Sequence, residues 1–244
     1  MTEPYALEQS TQPSKASVWE DFIDIFYAPA DVFRRRENGS WFIPMLVVTV
    51  LITGITLLTF NALEGAYRPL LDKAVEQAMQ RPGVTPDAAD TIRKVGAWQF
   101  KLFGLFFPIL ILLVALTTWF AGKFFGSKQS FRAAMVVVGY AQVARVVGAI
   151  AMGIEGLLMD PAKITSLSAI TLGPVRFISR DAVSPFVYGV LLRLDVFTIW
   201  ATVLIGIGVY VTGKVSKGSA TAIALFVWMV GSLQGISAVM RGQL

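Results

Sequence analysis

Five long apolar stretches constrain the fold of this 244-residue chain more than any other feature of its sequence. Four of them, at 41–63, 102–121, 196–213 and 218–240, contain no charged residue, and the stretch from 133 to 154 contains only Arg145. Because the hydrocarbon core of a bilayer is about 30 Å thick, a helix needs roughly 20 apolar residues to cross it. We therefore predict an all-α, polytopic membrane protein with five transmembrane helices, at about 41–63, 102–121, 133–154, 194–213 and 218–240.

The composition of the chain supports this class and excludes several others. Hydrophobic residues make up 55% of the sequence and charged residues only 15%, which is far from the balance of a soluble domain. We attribute the net charge of +5 to basic residues beside the spans and not to nucleic-acid binding, because no basic run is combined with stacking aromatics in a soluble module. The chain contains neither cysteine nor histidine, so disulfides, thiolate nucleophiles and the usual zinc sites are excluded. We expect no cofactor and no metal.

The segment before the first span has two parts. Residues 1–17 are mostly polar and are predicted to form a disordered cytoplasmic tail. Residues 18–36 are predicted to form an amphipathic interfacial helix, interrupted at Pro29, with an apolar face in the headgroup region and basic residues at lipid phosphates. The alternative is a helix that packs only against the bundle. The residues expected at the lipid interface are Trp19, Phe22, Phe26, Arg34, Arg35 and Arg36.

The connections between the spans indicate the orientation of the chain. Two connections are long and carry helix signals, and the other two are short. With five spans, both long, partly helical loops lie on one side of the membrane. The two short loops hold five basic residues and no acidic one, which favours the cytoplasm for them. We therefore expect a cell inner-membrane protein with a cytoplasmic N-terminus, two outer loops and an outer C-terminus.

Three motifs in the chain resemble a known family. They are Tyr27-Ala28-Pro29 followed by Phe33, Ser130-Phe131-Arg132 leading to Gly139-Tyr140-Ala141, and the run Leu194-Asp195-Val196-Phe197-Thr198-Ile199-Trp200. Together they resemble the bacterial branch of the Yip family, relatives of the eukaryotic Ypt/Rab-interacting membrane proteins, over about residues 21–237. The resemblance implies five spans and a cytoplasmic N-terminus. The chain departs from the family at Ala144-Arg145, where many relatives carry a proline.

Arg145 is the charged residue that most needs a partner, because a charge within a span costs roughly 2.5–3.5 kcal/mol on insertion scales. We expect it to form an intramembrane polar pair with Asp195, which precedes the fourth span. Glu155, ten residues after Arg145, is the competing partner. Snorkelling of the arginine to the interface is a further alternative.

Small residues within the spans indicate close helix packing. Patterns with small residues four positions apart let helices approach each other within a bundle or between copies of a chain. The packing positions that we predict are Ala144, Gly148, Gly206, Gly208, Gly231 and Gly235.

The sequence shows no nucleotide loop, no nucleophile motif and no paired carboxylates within a span. We therefore expect a non-enzymatic membrane organiser or adaptor that acts through its cytoplasmic face and through membrane lipid. A cytoplasmic protein partner and a homo-oligomer are left open. The alternative function is a small channel or transporter subunit with a polar core near Arg145.

Overall fold

A computed structural model of the chain describes residues 17–85, 87–164 and 166–240. The predicted tail, 1–17, lies outside the described residues except for Ser17. In the described part of the chain, the regular elements are α-helices and short 3₁₀ turns. The α-helices are α1 (Val18–Asp24), α2 (Pro29–Arg36), α3 (Phe42–Thr59), α4 (Glu64–Met79), α5 (Ala88–Lys101), α6 (Phe107–Phe124), α7 (Phe131–Ala141), α8 (Val143–Leu158), α9 (Pro185–Leu191), α10 (Val196–Gly213) and α11 (Lys217–Met240).

Five helical segments within the described residues are long and apolar enough to cross a membrane. Their number and their positions confirm the predicted fold class, with ends that shift by a few residues. Spans one to five are Phe42–Thr59, Phe103–Phe124, Phe131–Leu158, Val196–Gly213 and Lys217–Ser237. The second span begins with a 3₁₀ turn, so Pro108 lies in the first turn of α6, where its missing N–H removes no helical bond.

Span three occupies the centre of the bundle. In the most apolar 18 residues of span three, 67% of the residues are buried. The corresponding fraction in the other four spans is 22% to 44%. Every residue from Ala133 to Ala144 is buried, and α7 packs against spans one, two and four. A helix that is apolar on all sides and buried on all sides is the expected occupant of such a position.

Span three is broken near its middle. α7 ends at Ala141, α8 begins at Val143, and the N–H of Arg145 donates to the carbonyl oxygen of Gln142 over 2.9 Å. This three-residue hydrogen bond is tighter than the regular helical one. The break lies directly before Ala144-Arg145, where the resemblance indicated a departure from the family pattern.

The two long connections pack against each other at one end of the bundle, called here the long-loop end. α4 and α5 form the helical hairpin that the sequence predicts. The Tyr67 ring stacks on Phe60 and on Phe100, with ring centroids 5.6 and 4.5 Å apart, respectively. Tyr67 shares an apolar cluster with Ile164 and Ile170 from the second connection.

The second long connection ends in a separate short helix. Residues 185–194 do not extend span four, because α9 ends at Leu191 and the chain turns before α10 starts at Val196. Ser184 caps α9, and Pro185 occupies its first turn. Instead of continuing α10, α9 packs against α11.

Candidate functional site

The N-terminal segment forms two short helices that fold back on each other. Ser17 and Glu20 form a reciprocal capping box that starts α1, and Pro29 occupies the first turn of α2. Both helices adjoin the start of span one, where the side chain of Arg132 donates to the carbonyl oxygen of Gly39 over 3.0 Å. We call α1, α2 and the turn between them the N-terminal hairpin.

A buried carboxylate holds the N-terminal hairpin together. Asp21 is fully buried and accepts hydrogen bonds from Arg35 at 2.6 Å and from Arg36. The Tyr140 hydroxyl of span three also donates to Asp21, over 3.2 Å. Arg35 pairs in addition with Asp24. Burial acts to lower the pKa of Arg35, but the hydrogen bonds to Asp24 and Asp21 leave it above its ordinary value, so the guanidinium of Arg35 stays charged at neutral pH.

The aromatic contacts of the hairpin reach far along the bundle. The Phe22 ring lies 5.3 Å from that of Tyr140, and the Phe26 ring lies 4.7 Å from that of Trp200. At the rise of an α-helix, Tyr140 is roughly 14 Å from Phe131, and Trp200 is roughly 20 Å from Gly213. The hairpin therefore packs along the sides of spans three and four and not only at their ends.

This placement differs from the predicted interfacial contacts of Phe22 and Phe26, because both rings pack against the bundle core. Arg35 and Arg36 likewise meet Asp21. The exposed apolar side chains of the hairpin follow a second stripe, at Trp19, Ile23 and Tyr27, with 66%, 62% and 84% exposure. Arg34, which pairs with Asp31, is also exposed.

A second polar site lies in the half of the bundle nearer the long-loop end. There, spans one to four and both long connections enclose a cavity of about 330 Å³ with a mainly apolar lining. Its lining includes Phe103 and Leu172, which are 50% and 40% exposed, so the cavity reaches the protein surface. Arg145 and Asp195 are the charged residues of its lining.

The structure brings Arg145 and Asp195 into one cavity, but among the described side chains they form no ion pair. One Asp195 oxygen accepts from the N–H groups of Phe197 and Thr198, at 3.1 and 3.0 Å, and so caps α10. The Arg145 Nε is buried without a hydrogen-bond partner. Glu155 does not fill that role, because it pairs with Arg176 over 2.6 Å.

Arg193 adds a second cation to the surroundings of Arg145. Its Nε is also buried without a hydrogen-bond partner. The pKa of Arg193 is lowered to about 10, first by burial and then by the charge of Arg145, while the charge of Asp195 acts in the opposite direction. At neutral pH the group is still charged. The formal charges of Arg145, Arg193 and Asp195 sum to +1.

The predicted packing positions fall into two groups. A Cβ built on Gly148 would lie 2.8 Å from Phe197 Cδ2, and one built on Gly208 would lie 2.3 Å from Val137 Cγ1, so both glycines lie where spans three and four approach closely. Gly206 faces Ala224 of span five at 3.3 Å, and Ala144 lies in the core. By contrast, Gly231 and Gly235 face the side chain of Arg193.

Comparison with known proteins adds a family to this geometry. The model of the Yip1 domain matches residues 23–238. The chain belongs to the Yip1 domain family. No curated protein and no solved structure matches it.

Sequence reasoning missed three residues of these two sites in this Yip1 domain protein. Asp21 was not among the predicted site residues, although Arg35 and Arg36 follow it beyond a break at Pro29, which is the pattern of a folded-back pair of helices. Arg193 was not among them either, although it lies two residues before Asp195. Tyr140 belongs to one of the family motifs, but its contact with Asp21 gives no signal in the sequence, because the two residues are 119 positions apart.

The described residues contain no group of three carboxylate, cysteine or histidine side chains that could hold a metal ion.

Proposed function

We propose that this Yip1-family membrane protein is a non-enzymatic organiser of the membrane that surrounds it, acting through the N-terminal hairpin. The supporting observation is the two-sided character of the hairpin. The side that carries Asp21, Phe22 and Phe26 packs against the bundle, and the side that carries Trp19, Ile23 and Tyr27 is exposed. An exposed apolar stripe, on a hairpin that also exposes Arg34, suits acyl chains and anionic headgroups.

The orientation belongs to the same proposal. The start of span one and the two short basic connections lie at one end of the bundle, where Arg132 donates to the carbonyl oxygen of Gly39 and the N–H of Lys128 donates to that of Gly213. Basic residues beside the spans favour the cytoplasmic side. This end then lies on the cytoplasmic side of a bacterial cell membrane, and the exposed stripe of the hairpin faces the surrounding lipid.

The test measures which lipids gather around the protein. A donor dye is attached at Ser216→Cys. Ser216 is exposed in the short connection between spans four and five, and the natural sequence contains no cysteine, so labelling is specific. The acceptor is a labelled lipid in phosphatidylcholine vesicles, either phosphatidylglycerol or phosphatidylcholine. We expect greater energy transfer to phosphatidylglycerol, and we expect Trp19→Asp with Ile23→Asp to abolish the difference.

The matched control is Phe177→Asp, which changes an exposed aromatic residue in the second long connection and should leave the difference intact. Equal transfer to both lipids, or a preference unchanged by the hairpin variants, contradicts the proposal. Release of entrapped potassium by unlabelled protein in the same vesicles would instead favour a channel with its polar core near Arg145.

A further inference from the structure

The cavity beside Arg145 combines features that the proposed role of the N-terminal hairpin does not require. Its lining is apolar over most of its surface and includes Ile55, Met152 and Phe107. Its charged lining residues, Arg145 and Asp195, lie in the half of the bundle nearer the long-loop end. Ligand sites in proteins have this composition, with apolar walls and a few polar groups that fix the orientation of the ligand.

The charge around the cavity is not balanced, because Arg193 adds a second cation near the lining residues Arg145 and Asp195. Asp195 uses one oxygen to cap α10, and Glu155 is bound to Arg176. The Nε atoms of Arg145 and Arg193 are both buried without partners. Because buried polar groups are normally hydrogen-bonded, and a buried unpaired charge is strongly unfavourable, this cluster is complementary to an anion.

The size and the walls of the cavity restrict that anion. About 330 Å³ lies near the lower end of the range of ligand pockets, roughly 300–1,000 Å³. This volume suits one hydrocarbon chain and is too small for a two-chain phospholipid with its headgroup. The exposed lining residues Phe103 and Leu172 mark where the cavity reaches the surface, at the level from which a membrane amphiphile enters.

We propose that the cavity binds one long-chain fatty acid, with its chain along the apolar walls and its carboxylate on the guanidinium of Arg145. Arg193 contributes a second positive charge nearby, and its lowered pKa agrees with an unsatisfied cationic site. This inference goes beyond the proposed function and does not depend on the N-terminal hairpin.

The experiment uses the full chain in a maltoside detergent, with the fluorescent fatty acid cis-parinaric acid as the probe. We expect saturable binding, displacement by laurate, and displacement by 1-dodecanol that is weaker by about ten-fold to a hundred-fold, which is the scale of one charge-assisted hydrogen bond. Arg145→Gln should weaken binding of the probe by a similar factor. Arg180→Gln, outside the cavity lining, is the matched control and should bind like the wild type.

Ala149→Leu provides a second variant if Arg145→Gln does not fold, because Ala149 lines the cavity and the larger side chain fills it. It should also lose binding. Equal displacement by 1-dodecanol and laurate would remove the role of Arg145. Stronger displacement by phosphatidylglycerol than by laurate would assign the site to a phospholipid, and displacement by inorganic phosphate would assign it to a free anion. Any of these three results would overturn the proposal. So would wild-type affinity in Ala149→Leu, or the absence of any binding to the wild-type protein.

Discussion

At the scale of single residues, the two buried charged sites of this protein are opposites. Asp21 is fully buried and accepts hydrogen bonds from two arginines and a tyrosine. Arg145 carries its charge into the bundle with its Nε unpartnered. The Asp21 cluster stabilises the fold only while each of its hydrogen-bonding partners is present. Burial of the unpartnered Arg145 instead lowers the stability of the fold.

Asp21→Asn tests the first arrangement. The variant keeps the shape of the side chain but removes the charge that Arg35 and Arg36 share. Both arginines retain some solvent contact, at 30% and 23% side-chain exposure, so we expect a loss of about 1–3 kcal/mol, the cost of an unsatisfied buried group. Thermal unfolding in detergent measures it. Asp31→Asn, in an exposed pair, is the control, with an expected change of about 0–1 kcal/mol.

Asp195 provides a separate prediction, which distinguishes a helix cap from an ion pair. Asp195→Ala removes both the cap and the charge and should lower stability by about 0.5–2 kcal/mol, as expected for a lost N-cap. Asp195→Ser keeps a capping oxygen and removes only the charge, so it should unfold close to the wild-type temperature. If serine proves as damaging as alanine, the attraction between Asp195 and Arg145 outweighs the cap.

At the scale of elements, the close contact between spans three and four depends on two glycines, which have no side chain. A Cβ added to Gly148 would clash with the ring of Phe197, and one added to Gly208 would clash with the side chain of Val137. Because neither neighbour is a long flexible side chain that can move aside, a larger residue at either glycine must push the two helices apart.

Gly208→Ala should therefore destabilise the protein by about 1–3 kcal/mol, the usual cost of overpacking a core. Gly54→Ala is the matched control, because a Cβ on Gly54 has no other atom within 4 Å, and alanine favours a helix by up to about 1 kcal/mol. Thermal unfolding of the two variants side by side gives the comparison. Equal unfolding temperatures would mean that spans three and four are looser than the distances indicate.

The elements also show what the sequence can predict and what it cannot. The spans follow from hydropathy, which is a local property of the chain, and so they were predicted to within a few residues. The N-terminal hairpin was harder to predict, because residues 19–27 form one apolar stripe at Phe22, Ile25 and Phe26 and another at Trp19, Ile23 and Tyr27. Periodicity reveals both stripes, but only the packing of distant residues such as Tyr140 and Trp200 selects which one is buried.

The contacts of the predicted polar pair were hard to derive for a similar reason. The sequence places Arg145 and Asp195 on two neighbouring spans, and the structure brings both to one cavity. The start of α10 also has N–H groups that need acceptors, and Asp195 supplies one. The spacing of residues in the sequence does not show whether the Asp195 carboxylate caps α10 or pairs with Arg145.

At the scale of the whole molecule, the orientation in the membrane gives the next prediction. Single cysteines at Ser216 and at Ser179, both exposed and at opposite ends of the bundle, should react from opposite sides of the membrane. We expect an impermeant maleimide added to intact cells to label Ser179→Cys only, and to label Ser216→Cys after the membrane is opened. The chain without cysteine is the blank. Labelling of Ser216→Cys in intact cells would reverse the orientation.

The central position of span three has a consequence for biosynthesis. Spans one and two leave the ribosome before it, whereas spans four and five leave after it. When span three first meets lipid, it carries Arg145, at a cost of roughly 2.5–3.5 kcal/mol on insertion scales, and a break at Gln142. Only part of its final surroundings exists at that moment. During synthesis, span three must therefore stay in the membrane without its full set of neighbours until spans four and five emerge. If the ribosome stalls before α10, span three stays exposed to lipid.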